Sequence, residues 1–105
     1  MDTPVYSIRY AKDAIDDLRE ISSFYKKINP ALGIRFKEAL LIAETDILNN
    51  PFAWSKVNFR DFRRLVINKF PYKIIYRVEK ELVYIFCVLH FARSNRYMKS
   101  RLKKK

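Results

Sequence analysis

The chain of 105 residues carries a single glycine, Gly33, so no glycine-rich loop exists to wrap the phosphates of a nucleotide. A single cysteine, Cys87, excludes a disulfide framework within the chain. Its place in the apolar run "VYIFCVLH" marks it as a buried thiol in a reducing compartment. One histidine and no cluster of His, Cys or acidic residues argue against a metal centre. Acidic residues are scarce after residue 55, where only Asp61, Glu79 and Glu81 occur, which removes hydrolase schemes built on paired carboxylates. No apolar run nears the roughly 20 residues of a membrane span. The opening "MDTPVYSIRY" also lacks the basic and apolar regions of a signal peptide. A cytoplasmic protein with no cofactor, no metal and no membrane contact is expected.

Apolar residues and positive charge are what the chain has in plenty. Half of its residues are hydrophobic, enough for one domain of this length to bury roughly two thirds of its unfolded surface in a single core. The net charge of +11 is unevenly placed. Residues 1–55 hold 7 Lys and Arg against 8 Asp and Glu, whereas residues 56–105 hold 15 against 3. Such a lopsided field favours a polyanionic partner, either nucleic acid or an acidic protein segment. The plainer reading of the same charge is a solvated basic face followed by a tail.

Periodicity divides the chain into elements. "PVYSIRY" alternates and reads as a strand over 4–10. From Ala11 to about Lys27 the period becomes helical, with Ile15, Leu18, Ser22 and Tyr25 on one face and Asp13, Asp16 and Asp17 in the first turns, where the helix dipole favours anions. Asn29 and Pro30 start a second helix, carried by Leu32, Phe36, Ala39, Leu40, Ala43 and Ile47 until "NNP" stops it at Pro51. Residues 51–62 are irregular. Strands follow over 63–69, 71–78 and 82–90, the last two joined by a tight charged turn at Glu79, Lys80 and Glu81. The result is an α+β fold of order β-α-α-β-β-β over residues 1–97, with a helical hairpin on one face of a mainly antiparallel twisted sheet and the second face incompletely covered. Residues 98–105, "MKSRLKKK", read as a flexible basic tail.

Alternation along the strands sorts the side chains. Tyr72, Ile74, Tyr76 and Val78 point one way, and Lys73, Ile75 and Arg77 the other. In the last strand Val83, Ile85, Cys87 and Leu89 form one face, opposite Leu82, Tyr84, Phe86, Val88 and His90. His90, Arg93 and Arg96 leave the strand end together, and Arg60, Arg63, Arg64, Lys73 and Arg77 lie on or near the neighbouring strands. A cationic patch beside aromatic residues follows.

The chemistry open to such a patch needs neither metal nor carboxylate. RNA cleavage through a neighbouring 2′-hydroxyl requires a base, an acid and cations around the crowded phosphate. Arg64, His90, Arg93 and Tyr97 are the right types, and an ordinary imidazole titrates near pH 6.5. The competing reading of His90 is a hydrogen-bonding residue at a strand end.

The order of elements, the "NP" opening the second helix, the "NNP" closing it, the strand "PYKIIYRV" and the later "VLHFAR" together resemble the RelE/ParE superfamily of toxins from type II toxin-antitoxin modules. The resemblance covers about residues 5–97. It implies a small basic toxin of growth inhibition, neutralised by a cognate antitoxin with an acidic, amphipathic segment. It also implies one of two targets: DNA gyrase in the ParE-like branch, or messenger RNA on the ribosome in the RelE-like branch. The long hairpin and the two quoted strands favour the ParE-like branch. Ser94 and Asn95 depart from it, and Tyr97 stands near the place of a RelE-like catalytic tyrosine. If the chain is a metal-independent endoribonuclease, Arg64, His90, Arg93 and Tyr97 are the expected catalytic residues. Lys56, Arg60, Arg63, Lys73, Arg77 and Arg96 are then the expected substrate or partner contacts. A nontoxic basic binding domain is the remaining possibility.

Overall fold

The computed structural model describes residues 4–103. Its elements are β1 (Ser7–Tyr10), α1 (Lys12–Ile28), α2 (Pro30–Asn49), β2 (Arg63–Val66), β3 (Tyr72–Glu79), β4 (Leu82–His90) and α3 (Asn95–Leu102). The expected order stands, with a third helix added. α2 starts as the sequence indicates, because the Asn29 side chain accepts the Ala31 N–H at 2.9 Å and Pro30 occupies the first turn. α1 carries Asp13 in its first turn and Lys26 and Lys27 in its last, complementing the helix dipole.

The four strands form one sheet in the order β1-β4-β3-β2. β1 runs parallel to β4, and the other two pairs are antiparallel. β1 and β2 are therefore opposite edges, so the chain must cross the whole sheet between them. That crossing is the helical hairpin, and its amphipathic faces cover the sheet as they pass. Ala14, Ile21, Phe36, Ala43 and Ile47 from the helices meet Leu65, Ile67, Ile74, Tyr76, Val83, Ile85 and Val88 from the strands. Tyr25, Phe36, Phe70 and Tyr72 close one end of this core with ring centroids 5.1–6.3 Å apart.

One register shift corrects the face assignment in β4. Ile75 pairs with Cys87 and Tyr76 with Ile85, leaving Phe86 as an extra residue in β4. A bulge of one residue reverses the alternation beyond it. Val83 and Ile85 thus face the helices, while Cys87 and Leu89, expected on the same side, face away; Val88 and His90 cross over in the opposite sense.

The second face is also not left open. Val57 and Phe62 from the irregular segment and Met98 and Leu102 from α3 pack on Ile75, Phe86, Cys87 and Leu89. α3 replaces the expected frayed tail over residues 98–102, and the end of that tail, 104–105, lies outside the described residues. Its start is set by Ser94, whose hydroxyl accepts the Tyr97 N–H at 3.1 Å, and its inner face by Met98 and Leu102, one turn apart. Leu102→Ala is expected to cost about 2–4 kcal/mol, as for other fully buried leucines. Urea unfolding checks this, and a change within error would mean that α3 does not dock.

Tyr76 ties the sheet to the end of the hairpin, its buried hydroxyl donating to the Pro51 carbonyl at 2.6 Å. Burial pushes its pKa up to about 12, against a smaller opposing effect of the Arg63 charge. The neutral hydroxyl is thus favoured by folding. Stability from Tyr76 is intact below about pH 10 and falls as pH rises toward 12. Unfolding curves between those values should show this decline, and Tyr76→Phe should flatten it.

Candidate functional site

The residues singled out in the sequence do not form one constellation. His90, Arg93 and Tyr97 border a cavity of about 500 Å³ between the C-terminal end of β4, α1 and the start of α3, together with Phe24, Lys27, Tyr72 and Arg101. This cavity exists because β1 ends at Tyr10 while β4 continues to His90, leaving that edge of β4 to α1. Each of the three candidates already has a local role. The His90 Nδ1 accepts the Ala92 N–H at 2.9 Å, and the ring stands edge-on to Tyr72 at 5.2 Å. In the neutral imidazole the proton therefore sits on Nε2. The Arg93 guanidinium lies 4.3 Å from the Tyr97 ring centroid.

Arg64 is elsewhere. It projects from β2 on the face shared with Ile75, with β3 between it and β4. Two strand spacings of about 4.8 Å separate its strand from that of His90, and it borders a different, smaller cavity of about 300 Å³ beside α2. Lys73 shares its face but is 5% exposed. Burial lowers its pKa, and the nearby Arg64 charge lowers it further, against an opposing effect of Cys87.

The expected partner contacts are likewise dispersed. Arg63 is turned inward, donating to the carbonyls of Phe52 and Trp54 at 3.1 and 2.8 Å. Arg77 lies 5.2 Å from the rings of both Phe62 and Phe86 and donates to Glu79. Lys56, Arg60 and Arg96 are exposed. Lys56 bridges to Arg63 at the β2 edge, and Arg60 packs over Phe59 at 4.8 Å.

Two residues that organise the cavity wall escaped the sequence reading. The Asp17 carboxylate accepts the Val88 N–H at 3.0 Å and the Arg101 guanidinium at 2.9 Å, and Asp13 lies 3.9 Å from the same guanidinium. Burial works against the Arg101 charge, but the hydrogen bonds to Asp17 and Tyr97 and the Asp17 charge outweigh it and hold the pKa above its ordinary value. A capping Ser94 ahead of Met98 and Leu102 at i, i+4 spacing was the sequence signal that would have revealed α3 and its Arg101. Among the described residues no group of three or more His, Cys, Asp or Glu is placed to hold a metal, and no helix is long and apolar enough to cross a membrane.

A helical hairpin is laid across a four-stranded sheet, with positive charge gathered in the later strands and α3. A family model described as the ParE toxin of the type II toxin-antitoxin system, parDE, matches residues 8–95. The chain belongs to that family. Among solved structures it is similar to the chromosomal ParDE toxin-antitoxin system from P. aeruginosa. That match has 18% identity and a TM-score of 0.72, covering 84% of this chain and 98% of the other. It is also similar to a mutant of the E. coli toxin RelE in the free state, with 18% identity, a TM-score of 0.68 and coverage of 95% and 97%. A third likeness is to the toxin-antitoxin complex RelBE2 from Mycobacterium tuberculosis, at 19% identity, a TM-score of 0.56 and coverage of 82% and 98%. No curated protein gives a significant match. At these identities the structures establish the shared fold.

The environment of Lys73 yields a test of its own. A buried ammonium that enters no ion pair among the described residues is a cost to folding. Lys73→Met is expected to stabilise the fold by about 1 kcal/mol in urea unfolding at neutral pH. A loss of stability would show that the ammonium has a favourable partner after all.

Proposed function

We propose that this toxin arrests growth by acting on DNA gyrase, performs no bond chemistry of its own, and is held inactive by a cognate antitoxin. The observation that carries the reading is the closed second face of the sheet. Lys73 is buried on that face, and Arg64, on the edge strand β2, stands two strands away from His90 on β4. Arg64 is thereby kept apart from His90, Arg93 and Tyr97, so the full set of groups that RNA cleavage would need does not gather around one phosphate. The match to the ParE family over residues 8–95 supports the same branch. The antitoxin rests on the family's toxin-antitoxin character and on two of the similar structures, which are toxin-antitoxin assemblies. The helical layer offers such a partner apolar contacts, since Phe24, Ile28, Ile34, Leu41 and Ile42 are all more than half exposed.

One observation favours a second reading. His90, Arg93 and Tyr97 do border a common cavity, so a ribosome-dependent endoribonuclease remains the competing mechanism for messenger RNA. The two readings separate cleanly. Under the gyrase reading, purified toxin inhibits supercoiling of relaxed plasmid, its induction in cells produces DNA breaks with intact messenger RNA, and His90→Ala and Tyr97→Phe keep this activity within a few-fold. Under the ribonuclease reading, either substitution removes a proton-transfer group and lowers cleavage by roughly 10²–10⁴-fold. Messenger cleavage that disappears with His90→Ala, alongside normal supercoiling, would overturn the gyrase reading. Absence of growth arrest without the antitoxin would overturn both.

A further inference from the structure

We propose that the outer layer of the molecule built by α3 and the loop at 57–62 binds the phosphodiester backbone of duplex DNA, so that the toxin engages gyrase as a gyrase–DNA complex. The last clause rests on the gyrase reading above; the DNA surface itself does not. The fold turns the charge asymmetry of the sequence into an asymmetry between layers. α1 carries four basic and four acidic residues, and α2 two and three, so the helical layer is close to neutral. On the opposite side of the sheet α3 carries Arg96, Lys99 and Arg101 with no acidic residue.

Arg101 is occupied by Asp17. Arg96, Lys99 and Lys103 take the other side of the helix from the buried Met98 and Leu102, and none of them enters an ion pair among the described residues. Arg60, exposed at the turn of the covering loop and in no ion pair among the described residues, adds a fourth cation to this layer, whose one acidic residue is the exposed Asp61 beside it. Lysines and arginines held on a rigid, docked helix and left without counter-charge are what a polyphosphate requires, because binding then releases condensed counterions.

The distribution of apolar surface decides between nucleic acid and an acidic peptide. An amphipathic acidic segment needs exposed apolar residues beside the cations. Of the large hydrophobic side chains left exposed, Ile15, Phe24, Ile28, Ile34, Leu41 and Ile42 are on the helical hairpin, while within α3 and the 57–62 loop there are none. The basic layer thus offers charge without an apolar groove, which suits a phosphate backbone.

Fluorescence anisotropy with a labelled DNA duplex, from about 50 to 200 mM salt, tests the surface. Four phosphate contacts at about 0.9 each predict a slope of log affinity against log salt near −3.6. In R96Q/K99Q/K103Q, which leaves the buried Met98 and Leu102 in place, the slope should shrink to about −0.9. The control K26Q/R35Q/K37Q on the helical layer should bind as the unaltered protein does. A salt-independent affinity, or a triple α3 variant that binds DNA normally, overturns the proposal. Double-stranded RNA bound at least tenfold more tightly than DNA overturns the DNA assignment. Loss of antitoxin neutralisation in the α3 variant with DNA binding intact overturns it in favour of an acidic peptide. In the supercoiling assay the α3 variant should need about tenfold more protein for the same inhibition. Unaltered protein that binds duplex DNA with the expected slope but leaves gyrase untouched sinks the functional reading while the DNA surface stands.

Discussion

The carboxylate of Asp17 is the junction on which the cavity end of the molecule depends. It lies on α1, receives the Val88 N–H from β4 and the Arg101 guanidinium from α3, and so joins a helix on one face of the sheet to a helix on the other. β1 stops before reaching Val88, and without Asp17 that amide would point into a gap with no strand to accept it. The charge-assisted bond to Arg101 then fixes how α3 lies over the second face. Met98 and Leu102 are delivered by that placement to their sites against Ile75, Phe86, Cys87 and Leu89.

The electrostatic character of the molecule has the same root. Arg101 is the one cation of α3 drawn inward, which leaves its neighbours on the helix facing water. A near-neutral helical layer and a strongly basic layer result, with a dry sheet between them. The two surfaces suit different partners, one through apolar contact and the other through charge.

Much of this was legible in the sequence because it is written in local periodicity. The helical hairpin, the Asn29–Pro30 start and the β3–β4 turn all follow from residues within a few positions of one another. The Phe86 bulge was not, since alternation continues unbroken through "LVYIFCVLH" and only pairing with β3 reveals the extra residue. α3 was missed because its eight residues are dominated by Lys and Arg, and the two apolar positions that dock it looked incidental beside them. The candidate site suffered most. Arg64, His90, Arg93 and Tyr97 are suitable residue types, yet strand order places β3 between the first and the rest, and strand order is a long-range property that residue spacing does not carry.

The parallel pairing of the first strand with the last has a consequence for synthesis. Ser7 waits for Leu82 before it can enter the sheet, and the contact between Asp17 and Arg101 spans 84 residues of chain. At about 5–20 residues per second, the ribosome needs roughly 4–15 s to supply β1 with its partner. The helical hairpin emerges first and has only its own two helices to pack against in that interval. A toxin gene interrupted anywhere before β4 therefore yields a chain that cannot close its sheet, and the fold is complete only once α3 has followed.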